Sequence, residues 1–481
     1  DALDYLATLT RYYTIHQVHY ILKNDFLPHI DNMRGKTFYL GYMVNKLVRM
    51  SENMISPTDR DSFAFKRIDL PGFLLAELFR EFYEEFQLKC QSTIDHQYNQ
   101  NKVLYKGSNI SNILDFDDMP ANKYKFFNPN IIENGFMKGM RGNWGMKNDP
   151  TKQGLVQDLS RLSSFGTISH LRRVNLPVVR NTKLVPPRRL HSSTWGIMCP
   201  VETPDGGNIG CIKAFSISAK VTFGSSSDPV LQAVHDNGII PINQIIPQQI
   251  LGNTKVFVNG NWIGIHQNPK DLVEKLRILR KNSCIHPYTS IIWNIKEMNI
   301  ELNTDTGRCI RPLYIVKDKN VLLTQEILND LEEEKINWKT LTEGSINGRS
   351  MTEYDTNYIC PFTDINIGKS KDPYQVLDEK GAIIEYLDVE EAETCLIASN
   401  ESQISDENLN KYTHCEIHPS LILGVLGLII PFVEHNQAPR NLFSAGQSKQ
   451  AVGLYAPNYR YRLDQAAYLL SYPQRPLITT R

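Results

Sequence analysis

The sequence predicts an α+β protein of several domains. Its 481 residues exceed the size that a single hydrophobic core usually serves. Helical spacing of apolar residues dominates the first hundred positions, whereas strand-like alternation and turn signals begin after residue 196. Hydrophobic residues make up 41% and charged residues 22% of the chain, a composition that argues against a disordered protein.

The N-terminal part is predicted to be helical. Apolar residues keep a helical spacing from Ile15 to Phe26, and Pro28 ends that pattern. A second helix over residues 38–50 is expected to follow a break at Gly35.

A long amphipathic helix is expected over residues 68–90, with its start marked by Pro71 and Gly72. Its apolar stripe predicts a face packed into the core rather than a cofactor contact. The stripe consists of Phe73, Leu74, Leu78, Phe79, Phe82 and Phe86.

Strands are expected in the second half. Alternating apolar residues in Thr254–His266 flank Asn259-Gly260, a dipeptide that favours a two-residue hairpin turn because both of its positions need a positive φ. The other expected elements are a basic helix over 272–280, strands over 311–316 and 382–387, and a polar, acidic loop over 396–412.

Metal and nucleotide motifs are sparse. The eight cysteines stand singly without a CxxC pair, which argues against a zinc framework and a secreted disulfide scaffold. Cys415-Glu-Ile-His418 lacks a second ligand pair, so we expect no zinc in this segment. The carboxylates of Asp115–Asp118 could hold Mg²⁺, but we interpret this segment as a solvated loop before Pro120 and expect no metal site in this chain. Gly206–Gly210 lacks the lysine of a phosphate-binding loop and predicts a tight turn.

Positive charge is concentrated although the net charge is zero. Residues 159–201 and 435–463 contain no acidic residue, and each stretch carries several arginines and lysines. Two interpretations are open: local phosphate binding, or solvated faces whose charge is balanced by acids elsewhere in the fold.

No membrane contact is expected. The N-terminal residues lack the basic and apolar regions of a signal peptide. The longest apolar run, Leu421–Phe432, is shorter than the roughly twenty residues that a membrane-spanning helix needs.

Six segments resemble the second-largest, β-like subunit of cellular and viral multisubunit DNA-dependent RNA polymerases. They are residues 26–47, 59–79, 142–145 (GNWG), 154–177, 188–213 (RRLHSSTWGIMCPVETPDGGNIGCIK) and 415–453. The segments occur in the family's order, and the resemblance is weakest over about 320–410. It is closer to the eukaryotic nuclear and large-DNA-virus type than to the bacterial type.

The resemblance implies five parts. In chain order these are the later, helical part of the protrusion (1–142), a mixed fork (143–225), two small β-rich external domains (226–315 and 316–405) and the start of the hybrid-binding barrel region (406–481). It places fork loops near residues 144–153 and 180–187.

The resemblance also implies site residues in the fork. Gln157, His170, Arg172 and Arg173 match the wall of the RNA path behind the active centre. Arg188 and Asp205 match fork positions beside the nucleotide-addition site. The family usually has Glu where Asp205 stands, so a salt bridge there would have a shorter reach.

Further site residues are implied near the end of the chain. Arg440 matches the arginine that contacts the phosphates of the incoming nucleotide, a role that suits an always-charged guanidinium fork. Gln450 matches a contact to RNA near its 3′ end. Gln437 and Lys449 are expected to contact nucleotide or nucleic acid in the same segment.

The implied function is template-directed RNA synthesis from nucleoside triphosphates by a nucleotidyltransferase complex. The expected partners are the largest subunit, assembly subunits, the DNA template, the RNA–DNA hybrid and nucleotides. Mg²⁺ is expected to be bound mainly by the largest subunit. We expect this chain to be a fragment that is inactive alone, in a nuclear or cytoplasmic location that includes a viral replication site or virion.

A non-catalytic nucleic-acid-binding relative or an architectural subunit is the alternative. A decayed active-site segment would be expected of such a relative. Arg440, Gln450 and the ETPDG sequence at 202–206 are intact, which favours the polymerase interpretation.

Overall fold

The computed structural model describes residues 2–10, 14–30, 32–100, 127–146, 152, 154–177, 184–344, 374, 377–378, 381–404 and 412–451. The chain forms two compact units of mixed α+β structure. The first comprises Asp1–Ile68, His191–Met198 and Ser216–Ile422, and the second comprises Asp69–Leu190, Cys199–Phe215 and Leu423–Arg481. The five-part division implied by the resemblance stays a prediction.

The first unit begins with the expected helices. Its described helical segments are Ala2–Thr8, Ile15–Tyr20, Ile21–Asp25 (π), Met33–Ser51, Phe63–Phe65 (3₁₀), Ser192–Thr194 (3₁₀), Asp228–Asp236, Pro247–Ile250 (3₁₀), Pro269–Lys281, Gln325–Glu332, Trp338–Glu343, Val389–Glu393, Glu401–Ile404 and Pro419–Ile422 (3₁₀). The predicted break at Gly35 is wrong, because the helix begins at Met33 with Asn32 accepting a bond from the Arg34 amide. Gly35 instead serves packing: a Cβ there would lie 3.0 Å from Ile30 Cγ2.

A five-stranded sheet carries the predicted hairpin. Its strands run in the order Ile240–Pro241, Asn261–His266, Thr254–Val258, Asn299–Asn303 and Ser290–Asn294. Thr254–Val258 pairs parallel with Asn299–Asn303, and the other pairs are antiparallel. The turn is confirmed, with φ of 48° at Asn259 and 78° at Gly260. The basic helix is confirmed as Pro269–Lys281.

The hairpin contains a β-bulge. Val256 lies opposite Gly264 and Phe257 lies opposite Trp262, so Ile263 is an extra residue on its strand. Alternate residues therefore enter two cores on opposite faces of the sheet. Val256 belongs to one core, and Phe257 and Trp262 belong to the other.

A second sheet is organised around Cys309–Lys317. This strand pairs antiparallel with Lys220–Val221, Asn320–Val321, Ile384–Asp388 and His414–Cys415, and the last of these pairs parallel with Ile397–Ala398. The two predicted strands over 311–316 and 382–387 are thus confirmed. The predicted loop over 396–412 is wrong in its first part, because Ile397–Ala398 is a strand and Glu401–Ile404 is a helix. Buried Ala398 and Ile404 pack against Tyr314, and this apolar contact outweighs the polar composition of the segment.

Charged groups are buried within the first unit. The Arg280 guanidinium donates to Glu385 Oε1 at 2.8 Å and to Glu391 Oε2 at 2.7 Å, and all three side chains are almost fully buried. His414 Nε2 lies 3.0 Å from Glu385 Oε2. Burial alone would lower the pKa of His414, but hydrogen bonds to Cys395 and Glu385 raise it to about 9. The Arg280 charge in turn holds the pKa of Glu385 well below its usual range.

The second unit contains the predicted long helix, which runs from Pro71 to Gln100. Its other described helical segments are Asn130–Met140, Ser164–Leu171, Pro186–Arg188 (3₁₀), Gly427–Ile429 (3₁₀) and Ala438–Gln450. Strands Arg173–Asn175 and Ile212–Ala214 form an antiparallel pair.

The apolar stripe of the long helix is only partly buried. Leu78 and Phe82 form a core with Trp144, while Phe73 and Phe79 are exposed, so the prediction of a wholly packed face is wrong for those two. Helix Asn130–Met140 packs on the part of the stripe that contains Leu78 and Phe82, and its Phe136 joins that core. A Cβ on its Gly135 would lie 2.4 Å from the Phe82 ring, so this glycine permits the close approach.

The described residues contain neither a membrane-spanning helix nor a cluster of metal ligands. No helix among them is long and apolar enough to cross a bilayer. No group of three or more His, Cys, Asp or Glu side chains in these residues could hold a metal ion. The Asp115–Asp118 cluster, Arg180 and Lys183 lie outside the described residues.

Candidate nucleic-acid and nucleotide site

A cavity of about 380 Å³ lies within the second unit. Three segments form its wall: the start of strand Arg173–Asn175, the loop and strand from Glu202 to Ala214, and the C-terminal half of helix Ala438–Gln450. The lining residues are Arg173, Glu202, Thr203, Pro204, Asp205, Ile212, Lys213, Ala214, Leu442, Phe443, Gly446, Gln447, Lys449 and Gln450.

The cavity brings together four of the predicted site residues from three separate segments of the chain. Arg173, Asp205, Lys449 and Gln450 all line it. The antiparallel pairing of Arg173–Asn175 with Ile212–Ala214 puts Arg173 beside Ala214. The other six predicted residues do not line the cavity, and their surroundings differ.

His170 and Gln157 form a pair on the surface of the unit. His170 Nδ1 accepts a bond from the Ser160 amide at 3.1 Å, so Nε2 carries the proton and donates to Gln157 Oε1 at 3.0 Å. Burial, with the nearby charges of Arg173 and Lys449, lowers the pKa of His170. The ring is therefore neutral at physiological pH and supplies a hydrogen bond rather than a charge.

Arg188 holds the glycine-rich turn. It ends the 3₁₀ segment Pro186–Arg188, and its Nη1 donates to the carbonyls of Gly207 at 2.6 Å and Ile209 at 3.1 Å. Gly210 has a φ of +71°, and a Cβ there would lie 2.1 Å from the Arg188 carbonyl oxygen. The predicted tight turn is confirmed, and it fixes the loop that carries Asp205.

Helix Ala438–Gln450 places Arg440 and Gln450 at opposite ends. Gln437 occupies the N-cap position, and Arg440 is exposed in the first turn. Arg440, Phe443, Gln447 and Gln450 are spaced three, four and three residues apart, so they share one face of the helix. The ten residues between the two ends span about 15 Å at the helical rise. This face therefore leads from the cavity to Arg440.

Glu202 is a cavity residue that the sequence-based predictions missed. It is 4% exposed, and its Oε1 accepts a bond from the Ser169 hydroxyl at 2.5 Å and lies 3.2 Å from Lys449 Nζ. Burial lowers the pKa of Arg172, and the Glu202 charge acts in the opposite direction. A signal was present in the sequence, because Glu202 is the acid that ends the acid-free run at Val201.

The cavity has an excess of positive charge. It is lined by the cations Arg173, Lys213 and Lys449 and by the acids Glu202 and Asp205, so three positive charges face two negative ones. Among the described residues, Arg173 has no ion-pair partner, whereas Lys449 is paired with Glu202. Free guanidinium and amide groups around a cavity suit the recognition of phosphate and sugar oxygens.

Five family descriptions match successive parts of the chain. RNA polymerase Rpb2 domain 2 matches residues 8–69, domain 3 matches 157–221, domain 4 matches 256–317, domain 5 matches 375–419 and domain 6 matches 426–481.

Similar proteins come from several lineages. A DNA-directed RNA polymerase II subunit of Encephalitozoon cuniculi is 35% identical over 96% of this chain and 37% of its own length. Subunit Rpo2 of Saccharolobus shibatae is 30% identical over 100% of this chain and 39% of its own length. A DNA-directed RNA polymerase subunit 2 of Acanthamoeba polyphaga mimivirus is 31% identical over 96% and 38%. The chain thus spans less than two fifths of the length of these relatives.

Proposed function

The chain belongs to the family of second-largest subunits of multisubunit DNA-dependent RNA polymerases, and we propose that it takes part in template-directed RNA synthesis within such a complex. In this role the second unit supplies the fork and makes contacts to the RNA and to the phosphates of the incoming nucleotide. The proposal rests on the family and on the geometry of one helix and one cavity.

The observation that carries the proposal is the shared face of helix Ala438–Gln450. Gln450 borders a cavity with excess positive charge, and Arg440 lies about 15 Å away on the same face. An amide at one end suits a sugar or base without selecting a sequence, and a guanidinium at the other suits phosphate oxygens. A growing RNA end presents sugar and base groups, and a nucleoside triphosphate presents phosphate oxygens. The amide and the guanidinium therefore suit these two ligands.

The chemistry is assigned by residue. Arg440 would stabilise the charge that develops on the phosphates of the nucleotide and on departing pyrophosphate. Gln437, at the N-cap of the same helix, and Gln450 would orient nucleotide and RNA. Arg173 would contact an RNA phosphate. Arg188 and the Asp205 loop would form the fork edge of the site.

Mg²⁺ is proposed to be bound mainly by the largest subunit. Among the described residues of this chain no acidic cluster suits a metal ion, and Glu202 in the cavity is already bonded to Ser169 and Lys449. When bound, Mg²⁺ would neutralise phosphate charge beside the Arg440 guanidinium. The chain would therefore need the largest subunit, assembly subunits and nucleic acid for activity. Its proposed location is the nucleus or the cytoplasm, which includes a viral replication site.

Replacing Arg440 by Ala in the full-length subunit, within the reconstituted complex, tests the proposal. Loss of a preorganised charge contact should slow single-nucleotide addition about 100-fold. Arg440→Lys should recover only part of the rate, since an ammonium cannot bind bidentately. Arg80→Ala is a matched control, because Arg80 is an exposed arginine on another helix of the same unit.

The two alternatives give other results. If the chain is architectural, Arg440→Ala leaves the rate of nucleotide addition unchanged while the complex assembles normally. If it only binds nucleic acid, the wild-type complex retains RNA but adds no nucleotide, and Arg440→Ala weakens retention alone. Either outcome would overturn the proposed function.

A further inference from the structure

Both the main chain and the side chain of Lys449 make polar contacts that fix this residue. Its carbonyl oxygen accepts a bond from the Ser163 hydroxyl at 2.8 Å, and its ammonium lies 3.2 Å from Glu202 Oε1. The Lys449 side chain is 22% exposed and the Glu202 side chain is 3% exposed. The ammonium of Lys449 is therefore directed to a buried carboxylate.

Both attachments of Lys449 lead to helix Ser164–Leu171. Ser163 is the N-cap of that helix, and its hydroxyl oxygen also accepts a bond from the Gly166 amide at 3.0 Å. Ser169 lies on the same helix and donates to Glu202. The helix thus contacts Lys449 directly through Ser163 and indirectly through Ser169 and Glu202.

The approach between the two helices is close. A Cβ on Gly166 would lie 3.1 Å from the Lys449 carbonyl oxygen, so a side chain at this position would press on the contact. Lys449 is in the last turn of helix Ala438–Gln450, and Gln450 follows it directly. Whatever fixes Lys449 also fixes the backbone from which the Gln450 side chain projects.

We infer that Glu202 is a positioning residue, which locks Lys449 and so orients Gln450 toward the RNA, while Lys449 itself makes no phosphate contact. The inference rests on the proposed function and assigns Lys449 a different task from the one expected of it by resemblance. The third cation of the cavity, Lys213, donates to the carbonyls of Pro187 and Gly210. Arg173, which has no ion-pair partner among the described residues, is therefore the cation left to contact phosphate.

The salt dependence of RNA binding distinguishes a lysine that contacts RNA phosphate from a lysine that is held in an internal ion pair. Each phosphate contact of a single strand contributes about 0.7 to the slope of log affinity against log salt concentration. We would measure the release of labelled RNA from reconstituted complexes that carry the full-length subunit. Glu202→Gln with Lys449→Met removes both charges of the pair, so no buried charge is left alone. We expect this double variant to keep the wild-type slope.

Arg173→Gln is the matched comparison, and it should reduce the slope by about 0.7. Glu202→Gln alone should increase the slope by about the same amount, because it releases the Lys449 ammonium toward the RNA. A double variant whose slope falls by about 0.7 would show that Lys449 contacts phosphate and would overturn the inference.

The positioning role needs a second readout. Glu202→Gln should slow nucleotide addition about tenfold, since small misplacements of a substrate contact have large effects on rate. In a Gln450→Ala background it should slow the reaction no further, because the residue through which Glu202 acts is gone. An equal slowing in both backgrounds would mean that Glu202 does not act through Gln450.

These outcomes are distinct from failure of the proposed function. If Arg173→Gln leaves the slope unchanged and Arg440→Ala leaves the rate unchanged, the site does not bind nucleotide or RNA at all. If those two variants behave as expected and the Glu202 variants do not, only the positioning role is lost. Assembly of the Glu202→Gln, Lys449→Met double variant is checked first, because it shows that the scaffold tolerates loss of the pair.

Discussion

Both units bury charged groups, but they arrange them differently. In the first unit Arg280 is enclosed by Glu385 and Glu391, and each of the three side chains is almost fully buried. Among the described residues of the second unit, Glu202 is the charged side chain buried to that degree, while its partner Lys449 reaches the edge of a cavity. Arg173 faces the same cavity without an ion-pair partner in the part of the chain described.

The difference teaches how to separate structural from binding cations. A charge whose partners are all buried with it stabilises the fold and has no capacity left for a ligand. A charge beside a cavity that has no ion-pair partner keeps its donors available for phosphate. Arg173, in the basic stretch 159–201, differs in this respect from Arg280, whose two carboxylate partners are buried with it.

The largest expected effect is the loss of the enclosed cation. Arg280→Met leaves Glu385 and Glu391 buried without a counter-charge, and we expect the free energy of unfolding to fall by about 3–5 kcal/mol. Denaturant unfolding of the chain measures it. Lys270→Ala on the same helix, whose pair with Glu274 is exposed, should change stability by less than about 0.5 kcal/mol. Equal effects would remove the distinction between enclosed and exposed charge.

A second prediction concerns pH and the same enclosed cluster. The folded pKa of His414, at about 9, lies above its unfolded value of 6.5. Its contribution is therefore fully present below pH 6.5 and is lost as the pH rises through 9. It amounts to at most about 3.5 kcal/mol, since one pKa unit corresponds to about 1.4 kcal/mol.

Comparing wild type with His414→Gln isolates this contribution. Burial raises the pKa of Glu390 to about 8, so Glu390 also destabilises the fold as the pH rises, but it does so in both proteins. Unfolding curves between pH 6 and 9.5 should converge for the two proteins as the pH rises. A constant difference across this range would mean that His414 is not charged in the folded state.

A third prediction applies to the turn that supports the cavity of the second unit. Gly210→Ala should lower the free energy of unfolding by more than about 2 kcal/mol, because a positive φ and a clash with the Arg188 carbonyl act together. Gly206→Ala is the matched control, since it has a positive φ of 86° but no heavy atom within 4 Å of the added Cβ. It should lose only about 1–2 kcal/mol. Identical losses would show that the Arg188 contact is unimportant.

The smallest expected effect concerns the hydrogen bond between Ser169 and the buried carboxylate of Glu202. Ser169→Ala removes one hydrogen bond to Glu202 and leaves the Lys449 ion pair in place, so we expect a loss of about 1–2 kcal/mol. Thermal or denaturant unfolding checks this value. A loss as large as that of Arg280→Met would mean that the Glu202 site is as enclosed as the first-unit cluster.

Local patterns in the sequence predicted elements well. The Asn259-Gly260 turn, the long helix and the two strands around 311–316 and 382–387 follow from spacing and turn chemistry. Burial was predicted less well, because it depends on a partner element. Phe79 is exposed although it shares the stripe with buried Leu78 and Phe82, because spacing within one helix carries no information about where a neighbouring helix packs.

The resemblance pointed to Arg173, Asp205, Lys449 and Gln450, and the fold brings these four residues to one cavity. Their roles in binding stay a prediction. No pattern along the chain could show that Lys449 is directed to Glu202, because the two residues are 247 positions apart and meet only in the fold. Both earlier interpretations of the basic stretches therefore apply in part. The charge of Lys449 is balanced by Glu202 within the fold, whereas Arg173 has no ion-pair partner among the described residues and remains available for phosphate.

The β-bulge at Ile263 lets residues three positions apart on that strand lie on the same face of the sheet. Trp262 and Ile265 are three positions apart, and strict alternation would send them to opposite faces, yet both enter the same core. The extra residue makes this possible. An insertion beside Asn259-Gly260 would lengthen only the loop. Deletion of Ile263 would instead leave Trp262 and Ile265 two positions apart, so regular alternation would keep both in the same core and only the bulge itself would be lost.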